Sequence, residues 1–253
     1  MFAKNGEKTK EGQKMQKICK NVEKRISGLL RGLILFFVIS FLLAIPAISQ
    51  QTMDKDTLLL CSFEDNPNSA DGKAAKVSKG IEYVEGKFGK GAYFKGSSYI
   101  RYPAEGNINP DNGTIEMWIK PLWDGNDGKI HHILSAIFES KTQIFMYKWF
   151  NGNLSVHIYG EEKGLQVLAL NVNNWKSGEW HHIATTWQTR GDQNEVCFYV
   201  DRKLITSRKN LRMPVGEATL ILLGTAQSKK LLDAVVDEFC ISKVARPISS
   251  EVY

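Results

Sequence analysis

A chain of 253 residues has room for one or two domains, and its 33 basic and 27 acidic groups give a formal charge of +6. Residues 1–49 hold nine of the basic groups and three of the acidic ones, so the tail carries the whole excess and the 24 of each sign that remain cancel. A neutral folded part has no net field to attract a phosphate backbone, which argues against nucleic acid as a partner.

The first predicted element, residues 1–31, is basic. Met15, Ile18, Cys19, Val22, Ile26 and Leu29 recur there at helical spacing among lysines. That is the pattern of an amphipathic helix on anionic lipid, and equally that of a long, solvated signal-peptide tail. Gly32 to Ala47 then runs without a charge, so residues 32–49 are expected to be a hydrophobic helix. It serves either as the apolar region of a signal peptide or as a membrane anchor. Positive charge before an apolar run holds the N-terminus in the cytoplasm and sends the downstream chain across the membrane. Pro46, the small pair Ala47 and Ser49, and the shortness of the run favour cleavage after Ser49. Extending the run back through Arg31, which can snorkel, leaves an anchor open. The expected location is secreted, periplasmic or on the outer face of a membrane, with the N-terminal segment cytoplasmic or removed.

From residue 50 to 253 no helical periodicity is sustained. Short β-branched and aromatic runs alternate with Gly, Asn and Asp clusters, which predicts an all-β, two-sheet antiparallel sandwich in one domain. Fourteen strands are expected: Thr57–Phe63, Ile81–Val84, Gly91–Phe94, Ser97–Tyr102, Thr114–Lys120, His132–Phe138, Gln143–Phe150, Leu154–Tyr159, Leu165–Leu170, Trp180–Trp187, Glu195–Val200, Lys203–Ser207, Ala218–Leu223 and Val235–Ser242. Turn signals such as Asp111-Asn112-Gly113 and Asn151-Gly152-Asn153 separate them.

Catalytic signatures are scarce. Retaining glycoside hydrolysis needs two carboxylates about 5 Å apart, which a strand supplies through an E-x-D-x-x-E run. No Glu in this chain has an Asp two positions later. G-x-S-x-G, H-E-x-x-H and C-x-x-C are missing as well. His131-His132 and His181-His182, with His157, suggest a metal site. Neighbours on a regular strand point to opposite faces, though, so neither pair closes on one ion. Asn112-Gly113-Thr114 and Asn153-Leu154-Ser155 fit glycosylation sequons.

Sugars need an aromatic face beside polar groups that fix their hydroxyls. Tyr147 and Trp149 share a strand face by alternation, with Asn151 and Asn153 just beyond. Trp123 and Trp175, in loops, are expected to rim the same kind of site. The competing reading of each aromatic is ordinary packing.

Six segments, in order, resemble the laminin-G-like jelly rolls of the concanavalin A-like lectin/glucanase superfamily. They are Leu58–Asp65, Gly86–Phe94, Thr114–Pro121, Trp180–Trp187, Phe198–Leu204 and Asp237–Ser242 with Ala245-Arg246-Pro247. Two departures stand out: Gly113 where an aromatic is usual, and Arg202 where glycine is usual. The resemblance implies a jelly-roll fold and core roles for Trp118, Trp180, Trp187 and His182. It brings the first and last strands together, so Cys61–Cys240 is the one disulfide to consider, against three unpaired thiols with Cys197. It also implies a structural Ca²⁺ where those strands meet, held by Asp237 with Glu64, Asp65 or Asp71, against the alternative that these are ordinary turn acids. The function expected is a non-catalytic recognition module for carbohydrate. The alternatives are an extracellular protein-interaction or adhesion module, and a glycan-active enzyme whose acid pair comes from separate loops.

Overall fold

The computed structural model describes residues 50–139, 142–160, 164–190, 193–211, 213–214, 216–225 and 230–248, together with Lys17, Lys20, Asn21, Lys24 and Arg25. Those five N-terminal residues are helical and exposed. The apolar stripe from Met15 to Leu29 and the hydrophobic segment 32–49 lie outside the described residues. Among the described residues no helix is long and apolar enough to cross a membrane.

Residues Ser49–Glu251 form one compact unit. Its described residues form thirteen strands: β1 (Thr57–Cys61), β2 (Val77–Glu85), β3 (Lys90–Pro103), β4 (Asn112–Pro121), β5 (His131–Phe138), β6 (Gln143–Lys148), β7 (Asn153–Gly160), β8 (Gly164–Asn171), β9 (His181–Arg190), β10 (Gln193–Val200), β11 (Lys203–Lys209), β12 (Ala218–Gly224) and β13 (Ala234–Ser242). Every pairing among them is antiparallel.

One count differs from the sequence expectation. The runs Gly91–Phe94 and Ser97–Tyr102 are a single strand, β3, because Gly96 takes φ 61° and bends the backbone without ending the ladder. The first part of β3 pairs with β13 and the second with β12, so the strand passes from one layer to the other. The two expected sheets are therefore one continuous ladder, in the order β11-β10-β9-β4-β13-β3-β12-β5-β6-β7-β8, folded over at β3 and β13. β8 at one end meets β10 and β11 at the other, which closes the sandwich.

Alternation decides what fills it. Along β6 the even positions Ile144, Met146 and Lys148 are buried, while Gln143, Phe145 and Tyr147 stay half-buried on the opposite face. β7 contributes Leu154, Val156 and Ile158 to the same core, which also holds Phe94, Tyr102, Ile115, Met117, Trp187 and Phe239. Gly113 is explained here. A Cβ on it would overlap the Trp187 indole, so the ring of Trp187 occupies the space an aromatic at position 113 would take.

Candidate ligand-binding face

The hairpin β6–β7 builds the aromatic cluster that the sequence pointed to. Tyr147 pairs with Ser155 and Phe145 with His157 across the hairpin, and His132 of β5 lies opposite Tyr147 on the other side. Their side chains stand on the face of the layer away from the core. The rings touch in a row: Phe145 to Tyr147 at 5.2 Å between centroids, Tyr147 to Trp149 at 5.6 Å, and His132 to Tyr147 at 4.8 Å. Phe145, Tyr147 and Trp149 are half-buried, so each keeps part of its surface open.

His157 is the floor of this row, stacked on Phe145 at 4.8 Å and 3% exposed. Trp149 Nε1–H donates to His157 Nε2 at 2.9 Å. An indole only donates, so Nε2 carries the lone pair, and Ser155 Oγ at 2.7 Å is a second donor to it. Trp149 is thereby fixed in place by a hydrogen bond as well as by packing. Burial lowers His157 to about 4, and His132 likewise to about 4, so both imidazoles are neutral at pH 7. Sequence reasoning missed His132, Phe145 and His157 as members of this face. Phe145 was readable from its parity with Tyr147, whereas the histidines required the strand register.

Polar groups stand where the row ends. Asn151 is exposed in the turn, and its Oδ1 accepts from Asn153 N at 3.2 Å. Asn171 Nδ2 of β8 donates to Asn153 Oδ1 at 3.2 Å. The turn also presents Phe150, 62% exposed. Tyr147, Trp149, Asn151 and Asn153 thus fall together on one hairpin.

Trp123 and Trp175 do not join them. Both are 5% exposed and belong to the core. They form the middle of a four-ring stack: His131 on Trp123 at 4.4 Å, Trp123 on Trp175 at 6.4 Å, and Trp175 on His181 at 3.7 Å. Trp123 Nε1 also donates to Leu232 O at 2.9 Å. Apolar area and a satisfied indole N–H hold these loop residues inside, where no ligand rim forms.

The four paired histidines have protein partners. His131 contacts Asp127 Oδ2 and Leu231 O, His132 contacts Gly224 O and Ser135 Oγ, His181 faces Asp201, and His182 faces Glu116 at 3.1 Å.

The acids expected to hold calcium are divided among other partners. Asp65 takes the Lys90 ammonium at 2.7 Å, and Asp71 takes that of Lys73 at 3.1 Å. Asp237 accepts Lys87 N at 2.8 Å and Phe88 N at 2.9 Å, and Glu64 accepts Lys90 N at 3.1 Å. Among the described residues no three His, Cys, Asp or Glu side chains converge as a metal site requires. Burial, with Glu64 nearby, raises Asp237 to about 6; burial, with Asp237 and Glu64, raises Glu238 to about 7.

Cys61 and Cys240 are free thiols, as is Cys197. The first and last strands do pair, but Cys61 lies opposite Phe239 while Cys240 lies opposite Leu60. One step of register puts the two thiols on opposite faces, which excludes the bridge.

A folded-over antiparallel sandwich with this strand order is a jelly-roll-like fold. Residues 94–249 match the Laminin_G_3 family model, described as the concanavalin A-like lectin/glucanases superfamily, and the chain belongs to that superfamily. No curated protein matches it. Among solved structures it is similar to the botulinum neurotoxin serotype D ligand binding domain in complex with N-acetylneuraminic acid, with a TM-score of 0.60, 14% identity, and 76% of this chain and 48% of that one covered. The botulinum neurotoxin type G receptor binding domain gives a TM-score of 0.59, 15% identity and coverage of 76% and 49%. Domain 4 of AbnA, an extracellular arabinanase of Geobacillus stearothermophilus, in complex with arabinotriose, gives 0.59, 20% identity and coverage of 75% and 93%. The chain spans about half the length of the neurotoxin binding domains and nearly all of the arabinanase domain. At these identities the likeness is one of fold.

Proposed function

We propose that this chain is a non-catalytic carbohydrate-recognition module working outside the cytoplasm, with the β6–β7 hairpin as its binding face. One observation carries the reading. Phe145, Tyr147 and Trp149 form a continuous half-open row of rings, with the amides of Asn151, Asn153 and Asn171 at its end. Ring faces stack on the apolar faces of sugars, and amides sort hydroxyl orientation. The hydrogen bond from Trp149 to His157 holds one ring before any ligand arrives, which reduces the ordering cost of binding. The arabinotriose complex of the arabinanase domain and the N-acetylneuraminic acid complex of the neurotoxin domain lend the class of ligand. The basic tail and uncharged run of residues 1–49 support export.

Binding to a panel of oligosaccharides tests this. Trp149→Ala removes a stacking ring and is expected to weaken binding by roughly 1–2 kcal/mol, about tenfold or more, with the fold intact by circular dichroism. Silence across neutral and acidic glycans, together with recovery of a protein partner, transfers the hairpin to protein recognition. Turnover of a bound glycan ends the non-catalytic reading.

A further inference from the structure

The opposite layer carries a second cluster of rings, and this one is covered by cations. Trp118 and Lys120 share a face of β4. Trp118 pairs with His182 of β9, and Trp180, just before β9, lies beside Lys120. Lys87 Nζ sits 4.4 Å from the Trp118 ring centroid, and the Arg202 guanidinium sits 5.9 Å from it. Lys120 Nζ sits 5.0 Å from Trp180. All three cations are half-buried, and among the described residues none of them enters an ion pair.

Several carboxylates of this layer have other partners. Glu116 faces His182 at 3.1 Å, Asp201 faces His181 at 3.1 Å, Asp237 holds three backbone N–H groups, and Asp54 grips Arg246 through two of its nitrogens. Beside Arg202 a cleft of ≈ 120 Å³ opens between Glu116, His182, Arg202, Arg246, Pro247 and Ile248. That is the share of about four waters, enough for one carboxylate or sulfate group.

Arg202 is held there against backbone preference. Asp201 at φ 49° and Arg202 at φ 62° are the two-residue turn between Val200 and Lys203. Both positions need the left-handed conformation that glycine adopts freely and an arginine does not. A glycine would suit the turn better. What the arginine adds is a guanidinium over Trp118 at the mouth of the cleft.

We infer that this outer face, built from Lys87, Lys120 and Arg202 over Trp118 and Trp180, is a second site that takes an anionic saccharide. Like charges crowded over rings and partly stripped of water attract an anion, and the guanidinium offers a bidentate fork to it. That a sugar bears the anion rests on the proposed carbohydrate function.

Titration calorimetry of the full chain with tetragalacturonate, a chondroitin sulfate tetrasaccharide and neutral cellotetraose tests the site. At low salt at least one acidic tetrasaccharide is expected to bind about tenfold tighter than cellotetraose, with the advantage shrinking as salt rises. Whichever of the two is preferred says whether carboxylate or sulfate is the anion. Arg202→Gly is expected to lower the acidic affinity about fivefold while raising Tm by about 2–4 °C through the relaxed turn. Lys120→Met is expected to lower it without that gain. Trp149→Ala should leave the acidic preference in place. Equal binding of acidic and neutral sugars, or an acidic preference untouched by Arg202→Gly and Lys120→Met, overturns the site. If cellotetraose still binds through Trp149 in that case, the hairpin reading survives alone. If no saccharide binds, both go.

Discussion

Lys148 shows how a single residue can defeat expectation based on type. It is 0% exposed, on the core side of β6, with its ammonium on Asp127 Oδ1 and 5.3 Å from the Trp123 ring. Asp127 also meets His131 at 2.8 Å. Burial alone would raise the Asp127 carboxyl, but Lys148 and His131 outweigh it and hold it down to about 2. Lys148→Met keeps the stem and strands the carboxylate, so urea unfolding is expected to show a loss of about 3 kcal/mol. The histidines add acid sensitivity. His132 and His157 sit near 4 when folded and near 6.5 when unfolded. The unfolded chain therefore binds more protons as pH falls through that window, and their share of stability is lost between about 6.5 and 4. Asp237 and Glu238 act in the opposite sense. Raised to about 6 and about 7, they favour the fold when protonated, and that share fades as pH climbs toward 7. Tm measured against pH separates the two: His132→Gln should flatten the acid side and Glu238→Gln the neutral side. The face carrying Tyr147 and Trp149 was legible because alternation needs only parity. The burial of Trp123 and Trp175 was not, since a loop residue has no periodicity to show which way it turns.

Among the elements, β3 and the β10–β11 turn depart from simple rules. A glycine bend at position 96 allows β3 to serve both layers, so two predicted strands are one. Sequence alone shows a weak spot at Gly96 and cannot say whether the ladder continues through it. At the turn, Arg202 stands where glycine is usual, yet the left-handed pair forms all the same. β4 makes a sharper prediction. Gly113→Val places branched carbon where the Trp187 indole already lies, and is expected to cost about 3 kcal/mol in thermal or urea unfolding. The strand boundaries themselves were mostly legible, because polar turn residues flank the apolar runs.

At the scale of the molecule, register settles what composition left open. Cys61 and Cys240 are on neighbouring strands yet on opposite faces, and Cys197 stands on β10. Denaturation without reductant should expose three reactive thiols from residues 50–253, and fewer than three would contradict the register. The pairing of β1 with β13 joins the two ends of the domain, so contacts are long-range and folding is expected in milliseconds to seconds in a stopped-flow experiment.

The position of β13 has a consequence for biosynthesis. It is the last of the described strands to be made, yet it lies between β3 and β4 and also pairs with β1. A nascent chain lacking it has a gap through the middle of its ladder, so the domain cannot close before about residue 242 leaves the ribosome. Such a keystone keeps an incomplete polypeptide loose, the state a translocation channel accepts. Under the export proposed above, closure on the far side once β13 has cleared the pore is expected to oppose any backward slide.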